Sequence, residues 1–209
     1  METILNKDQL HDLLYQALET EMGGVLLYEA ALRCAINDDL KKEWTEYLEQ
    51  TREHVKVLLR VFKKLGLGPD VETPGRQIVR HTGQSLVKTI EMAIASAKPA
   101  AAQIVAAECV VHAETKDHAN WELIGLIAEQ ANGAEREVLK EAYDQVEDQE
   151  DEHLYHTKGW ARELSLESLS LDAVLPPPEE KKDVKSATEA AQVKKERKSS
   201  AGRKKEKVG

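Results

Sequence analysis

Residues 40–69 read LKKEWTEYLEQTREHVKVLLRVFKKLGLGP and carry a clear helical pattern. Apolar or small side chains recur at every third or fourth position, which is the period of one face of an α-helix. The stripe consists of Leu40, Trp44, Tyr47, Thr51, His54, Leu58, Val61 and Leu65. Glycine favours a helix end and proline cannot continue a helix, so residues 66–69 should stop it. A helix over residues 40–65 is therefore predicted, with a histidine inside its apolar stripe.

Three further long helices are predicted from the same period: from Asn6 or Asp8 to about Ile36, over residues 100–130, and over residues 134–164. Short links join the first helix to the second and the third to the fourth, as in antiparallel hairpins. Residues 69–98 form a longer connection that contains an amphipathic helix over 77–97. The predicted fold is all-α, a ferritin-like antiparallel four-helix bundle of two hairpins with a helical crossover.

Composition agrees with an all-α class. The chain has 209 residues, of which 41% are hydrophobic and only 4% aromatic, and strong helix formers dominate it. It shows no basic segment followed by an apolar run and no apolar stretch of membrane-spanning length, so we expect neither a secretory signal nor a membrane partner. Two widely spaced cysteines do not indicate a disulfide framework. A cytoplasmic location is expected.

Charge divides the chain into two parts. The formal net charge is −9, and residues 176–209 contribute +5 from eleven Lys/Arg and six Asp/Glu, which leaves −14 for residues 1–175. Three valines are the only sizeable apolar residues of that terminal stretch, which is too few for a core. We expect a bundle over residues 1–171 and a proline-containing linker with a disordered basic tail over 172–209. The tail is either a solubilising end or a weak, nonspecific contact with nucleic acid through residues 176–209.

Acidic and histidine side chains interrupt the apolar stripe of every long helix. They are Glu21 on the first helix, Glu53 and His54 on the second, Glu114 and His118 on the third, and Glu150 and His153 on the fourth. Counted from the hairpin turns, they lie at similar heights. Buried unpaired charges are costly, and a divalent cation can neutralise several of them together. The pattern predicts a metal site, with His156 and Glu108 as further candidates for a ligand or for a hydrogen bond to one.

The first and third helices carry matching pairs of residues. Tyr28 follows Glu21 by seven residues, Trp121 follows Glu114 by seven, and the two pairs are 93 residues apart. Seven residues are about two helical turns, so each aromatic ring lies in the same stripe as its carboxylate. The two hairpins are therefore predicted to be pseudo-equivalent. Ordinary core packing is the simpler interpretation of both aromatic residues.

The second and fourth helices match less well. Glu150 and His153 are three residues apart and share one helix face. No glutamate stands three residues before His54, and Gln50 stands three before Glu53. Glu53 and His54 are adjacent, about 100° apart around the axis, so they cannot both point at one spot. The sequence therefore allows two alternatives: an asymmetric centre that binds two ions, or a centre that binds one ion strongly and a second one more weakly.

The segments LEQTREHVKVLLRVFKKLGLGP (48–69) and AAECVVHAETKDHANWELIGLIAEQ (106–130) resemble the ferritin-like superfamily, and most closely its YciF-like branch of small bacterial stress-associated proteins. The resemblance loosely covers residues 10–165. It implies two iron or manganese ions, or one, and ferroxidase-like or peroxidase/catalase-like chemistry in a stress response. The alternative is a non-enzymatic interaction or scaffold protein with a degenerate metal site, DNA-associated through its basic tail. In both cases a homo-oligomer is expected, with a dimer as the simplest form.

Overall fold

The computed structural model describes residues 5–206, and the side chains of residues 5–198. Its helices are α1 (Lys7–Leu32), α2 (Asp38–Leu65), α3 (Pro74–Ser96), α4 (Pro99–Gln130), α5 (Gly133–Ser168), α6 (Pro178–Lys181) and α7 (Ala187–Glu206). Every regular element between residues 5 and 206 is a helix, so the all-α prediction is confirmed. None of these helices has the length and apolar character needed to cross a membrane.

The four long helices pack as two hairpins. Helix α1 contacts α2, and α4 contacts α5. The hairpins meet because α1 also contacts α4 and α2 also contacts α5. The connecting helix α3 packs against α1 and α4. These contacts are those of a helical bundle in which one residue from each of four helices can reach the centre.

Local sequence explains the helix ends. The side-chain oxygens of Asn6, Asn37 and Thr73 accept hydrogen bonds from backbone N–H groups in the first turns of α1, α2 and α3, which is the usual N-terminal cap. Helix α1 ends at Leu32, earlier than predicted. The Gln103 side chain accepts from the backbone N–H groups of Ile36 (2.7 Å) and Asn37 (2.8 Å), so it holds this link outside the helix.

The apolar core consists of two clusters. One cluster includes Leu27, Trp44, Val110 and Trp160, and the other includes Leu14, Leu58, Phe62, Ile124 and Leu139. Between them, the four long helices place buried polar side chains at the middle of the bundle. Large apolar residues above and below exclude water from this layer, which strengthens every electrostatic interaction within it.

An ion-pair network fastens α3 to α1. Glu19 is buried, and its carboxylate accepts from Arg76 Nε and Arg80 Nε, each at 2.7 Å. Burial alone would raise the pKa of Glu19, but the hydrogen bonds from the two guanidinium groups hold it below its ordinary value. The connection therefore has a fixed position on the bundle, against α1 and α4.

The C-terminal segment corrects the prediction of a disordered tail. Helices α6 and α7 contact each other and α6 contacts α5, and Val184 and Val193 are buried. Arg162 of α5 binds Glu179, and Arg197 of α7 binds Glu163. The prediction rested on the small number of apolar residues. Acidic side chains of α5 instead provide partners for the basic residues, so ion pairs supplement the two valines. Residues 207–209 of the predicted tail lie outside the described part.

Candidate metal centre

Five buried side chains converge at the middle of the bundle. Glu21, His54 and Glu150 form one group, and Glu114, Glu150 and His153 form a second. Within each group, one ligand atom from each residue lies within 4.8 Å of the others. Glu150 belongs to both groups, so two adjacent positions for a cation share one carboxylate. All four long helices contribute.

Each of these five side chains carries one atom that makes no hydrogen bond of good geometry among the described residues, although one of these atoms, His54 Nδ1, lies 3.0 Å from Glu150 Oε1 as an ion pair. The atoms are Oε2 of Glu21, Glu114 and Glu150, and Nδ1 of His54 and His153. Buried polar atoms in proteins are nearly always satisfied, so a cluster of orphaned atoms needs an explanation. Carboxylate oxygens and imidazole nitrogens that face one another at coordination distance are explained by a cation between them.

Two glutamines orient the two imidazoles. His54 Nε2 lies 2.7 Å from Oε1 of Gln149, and His153 Nε2 lies 2.7 Å from Oε1 of Gln50. An amide oxygen only accepts, so each Nε2 carries a proton. In the neutral imidazole, Nδ1 then has the free lone pair and can bind a cation. Partners of this type on the outer nitrogen fix the orientation of metal-binding histidines.

Two aromatic residues orient the outer glutamates. Tyr28 donates its hydroxyl hydrogen to Glu114 Oε1 at 2.8 Å, and Trp121 Nε1 donates to Glu21 Oε1 at 2.7 Å. Each hydrogen bond crosses from α1 to α4. Tyr28 thus holds one oxygen of Glu114 while the other lies 3.6 Å from His153 Nδ1, and Trp121 holds the Glu21 oxygen that lies 3.4 Å from His54 Nδ1. In each of the two pairs noted in the sequence, the aromatic residue therefore binds the glutamate of the other pair.

Burial and the neighbouring charges together set the electrostatics of the centre. Burial raises the pKa of Glu150 to about 7, and the charge of Glu21 adds to this effect. Burial by itself lowers the pKa of His54, but the carboxylates of Glu21 and Glu150 overcome it and raise that pKa well above the ordinary value. In the absence of a cation, the centre therefore retains protons that a divalent ion would displace.

Glu53 is not brought to this centre. Its side chain is 63% exposed and pairs with Lys56 at 2.5 Å. The reason is helical geometry: His54 faces the bundle interior, and the adjacent residue is about 100° away around the axis. The competition between Glu53 and His54 seen in the sequence is settled in favour of the histidine.

His118 also lies outside both groups. Its Nε2 pairs with Asp151 Oδ1 at 2.6 Å near the bundle surface. His156 instead contacts a tyrosine hydroxyl through Nδ1, and Glu108 is exposed. Of the seven predicted ligands, the structure brings together Glu21, His54, Glu114, Glu150 and His153.

The sequence contained a repeat that explains the glutamines. QTREH (50–54) and QEDEH (149–153) share the pattern Gln-x-x-Glu-His. In this alignment Glu53 corresponds to Glu152, and Thr51 corresponds to Glu150. A search for the pattern Glu-x-x-His alone misses the relation between the two segments, because the first segment has threonine in place of the glutamate. The glutamine four residues before each histidine was the signal for the crosswise Gln–His contacts.

Asp117 was also missed. It lies one turn after Glu114 on α4, is buried, and has an unpartnered Oδ1. Burial raises its pKa well above the ordinary value, and the charges of Glu21, Glu150 and Glu114 raise it further. The spacing of three residues from Glu114 was the available signal. The centre thus has four neighbouring carboxyl groups, rather than three.

A second polar cluster lies beside the C-terminal segment. Glu43 accepts hydrogen bonds from Tyr47 (2.7 Å) and from Trp160 Nε1 (2.6 Å), and the Tyr47 hydroxyl lies 3.0 Å from His156 Nδ1. Glu180 joins this cluster: burial and the adjacent Glu43 raise its pKa to about 7. The charge of one carboxyl group therefore disfavours ionisation of the other.

No protein-family model matches the chain, and no curated protein or solved structure was found to match it. The interpretation of the centre therefore rests on its own geometry. That geometry consists of buried carboxylate and histidine groups that could hold a metal ion.

Proposed function

We propose that the protein is a ferritin-like di-metal protein that binds iron or manganese at the centre of its bundle. The observation that carries the proposal is that Glu150 is shared by two buried three-residue groups. Its support is the single unpartnered atom on each of the five side chains. A carboxylate common to two adjacent groups is suited to bridge two ions.

Oxygen and imidazole nitrogen ligands suit iron and manganese, while the absence of thiolate argues against a site built for softer metals. Such ions, when bound, supply redox chemistry with dioxygen or peroxide. The chain's own residues provide the rest. The carboxylates and imidazoles position the ions, the apolar clusters on both sides limit access of water, and the four carboxyl groups and His54 can retain or release protons. A ferroxidase-like or peroxidase/catalase-like activity in a stress response is the function we propose.

The activity can be tested with peroxide. Full-length protein loaded with Mn²⁺ or Fe²⁺ should consume hydrogen peroxide or oxidise added Fe²⁺ faster than protein treated with a chelator. His153→Ala should abolish the difference, while His118→Ala, which alters a histidine near the surface, should retain most of it. Equal rates for loaded and chelated protein would contradict an oxidative function.

One observation favours an alternative. Thr51 occupies the position that corresponds to Glu150 in the Gln-x-x-Glu-His repeat, so the second helix has no carboxylate at this position. A scaffold protein with a degenerate centre would have this asymmetry. In that case Glu21→Gln would stabilise the protein, because it removes a buried charge that no ion compensates. A lower melting temperature of metal-replete protein after chelation would argue for the di-metal centre instead.

We also propose that the chain forms a homo-oligomer. The support is the apolar surface of α3, where Ile78 is 68% and Met92 is 61% exposed. Light scattering after size-exclusion chromatography tests this proposal, with Ile78→Lys expected to shift an oligomer toward the monomer. The weak contact of residues 176–209 with nucleic acid remains a prediction, to be tested by DNA retention at low salt.

A further inference from the structure

Asp117 lies at mid-height of the proposed centre. The hydrogen bonds between α1 and α4 show that these helices are antiparallel, because Tyr28 meets Glu114 and Trp121 meets Glu21. Along α4, Glu114 is therefore level with Tyr28 and Trp121 is level with Glu21. A residue about halfway between positions 114 and 121 thus lies midway between the two glutamates along the bundle axis. Asp117 is that residue on α4, and it is only 4% exposed.

No charged side chain stands opposite Asp117 on α1. Gly24, three residues after Glu21, holds the corresponding position. A Cβ atom added there would lie 3.2 Å from the methyl group of Thr51 and within 4 Å of no other heavy atom outside its own helix. The half of the centre built by α1 and α2 therefore has Gly24 and Thr51 where the other half has Asp117 and Glu150. The carboxylate that Thr51 lacks can be supplied from α4.

Charge balance gives an independent argument. Glu21, Glu114 and Glu150 bring three negative charges, and two divalent ions bring four positive charges. Neutral imidazoles add none. A buried site that carries a net charge is costly, and a fourth carboxylate makes this one neutral. Asp117 is a buried carboxyl group whose charge interacts with those of all three glutamates.

We infer that Asp117 supplies the fourth carboxylate ligand of the centre, an inference that rests on the proposed di-metal function. Asp117 belongs to neither three-residue group, so its side chain turns toward the ions when it binds. Its unpartnered Oδ1 is the atom available for this contact. A purely structural aspartic acid would instead leave metal binding unchanged when its charge is removed.

The test is calorimetric titration of the full chain with Mn²⁺ alone after removal of bound metal. Wild-type protein should bind two ions. Asp117→Asn keeps the shape of the side chain and removes its charge, so the variant should retain one ion and bind the second at least about tenfold more weakly. Tenfold is the lower end of the loss in affinity seen when a supporting residue of a metal site is removed. Asp148→Asn alters an exposed acid on α5 by the same charge and should behave as wild type.

The outcomes separate the two proposals. If wild-type protein binds no Mn²⁺, the proposed function fails. If wild type and Asp117→Asn both bind two ions with equal affinity, only the inference about Asp117 fails. Should the variant not fold, anomalous diffraction from Mn²⁺-loaded wild-type crystals decides: an Asp117 oxygen bound to Mn²⁺ supports the inference, and two ions without this contact overturn it.

Discussion

The amide oxygen of Gln50 lies 2.7 Å from Nε2 of His153 and joins α2 to α5. The contact between Gln149 and His54 is its counterpart, with the same distance in the opposite direction. Together they turn both Nδ1 atoms toward the carboxylates. The glutamines therefore decide whether the imidazoles can bind a cation, although they do not bind it themselves.

Replacing these glutamines should weaken metal binding. Gln50→Leu leaves the Nε2–H group of His153 without an acceptor, so the ring loses its fixed orientation and the affinity for Mn²⁺ should fall about 10- to 100-fold. Gln50→Glu retains an acceptor oxygen and should bind Mn²⁺ at least as well as wild type. Calorimetric titration measures both. Unchanged affinity in Gln50→Leu would show that the glutamine does not act through the histidine.

The hydrogen bond from Tyr28 to Glu114 should contribute to stability. Tyr28→Phe removes the donor and leaves a buried carboxylate oxygen unsatisfied, which typically costs about 1–3 kcal/mol. Denaturant unfolding of the chelated protein measures the loss. Tyr155→Phe, whose ring lies nearer the surface beside Lys158, is the matched control and should change stability little. Equal stability of the two variants would contradict a structural role for the Tyr28 hydroxyl.

Stability of the chelated protein should fall as the pH rises from about 4.5 to about 7, the interval between the ordinary and the raised pKa of Glu180. The pKa of Glu180 is raised to about 7, chiefly by burial and then by Glu43, so folding favours the protonated carboxyl. A group of this kind stabilises the fold at low pH, and its contribution is lost as the pH passes its folded pKa. The raised pKa values of Glu150 and His54 act in the same direction.

Glu180→Gln isolates one part of this effect. The amide cannot ionise beside Glu43, so the melting temperature of the variant should fall less between pH 5 and pH 7 than that of wild type. Glu137→Gln, on the exposed face of α5, should retain the wild-type pH dependence. A Glu180→Gln variant with the full wild-type decrease would contradict a contribution of Glu180 to the pH dependence.

Docking of the C-terminal segment should depend on Arg197. Its guanidinium binds the fully buried carboxylate of Glu163 and the backbone carbonyl of Asp172. Arg197→Ala removes these contacts from a buried acid, so residues 178–198 should become more accessible to proteases. Limited proteolysis compares this variant with Lys194→Ala, an exposed residue of the same helix. Identical digestion of both variants would contradict the role of the ion pair.

Much of the fold could be predicted because the period of an amphipathic helix depends only on the spacing of residues within one segment of the chain. The stripe from Leu40 to Leu65 and the cap at Asn37 define α2 without knowledge of its neighbours, whereas α3 begins at Pro74, earlier than the predicted start at residue 77, because Thr73 caps it. The docking of α6 and α7 could not be predicted in this way. It depends on Glu163 and Glu179 meeting arginines that are distant in sequence, and such pairing leaves no periodic pattern.

The position of a site residue was predictable where one acidic side chain stood alone on an apolar stripe, as for Glu21. The choice between Glu53 and His54 could not be predicted. A rotation of the helix by a fraction of a turn decides which of two adjacent side chains faces the bundle interior. The Gln50–His153 contact required knowing which helices are antiparallel neighbours. Only the folded chain shows this, although the repeat of Gln-x-x-Glu-His was present in the sequence.

The central claim is that Glu150 and its neighbours bind metal. Metal analysis of full-length protein, purified without chelator from cells grown with added iron or manganese, tests it most directly. The account predicts close to two ions per chain in wild type and in Glu147→Ala, an exposed neighbour on the same helix. It predicts almost none in Glu150→Ala, because both groups lose their common carboxylate. Wild-type protein that contains almost no metal, or a Glu150→Ala variant that retains both ions, would contradict it.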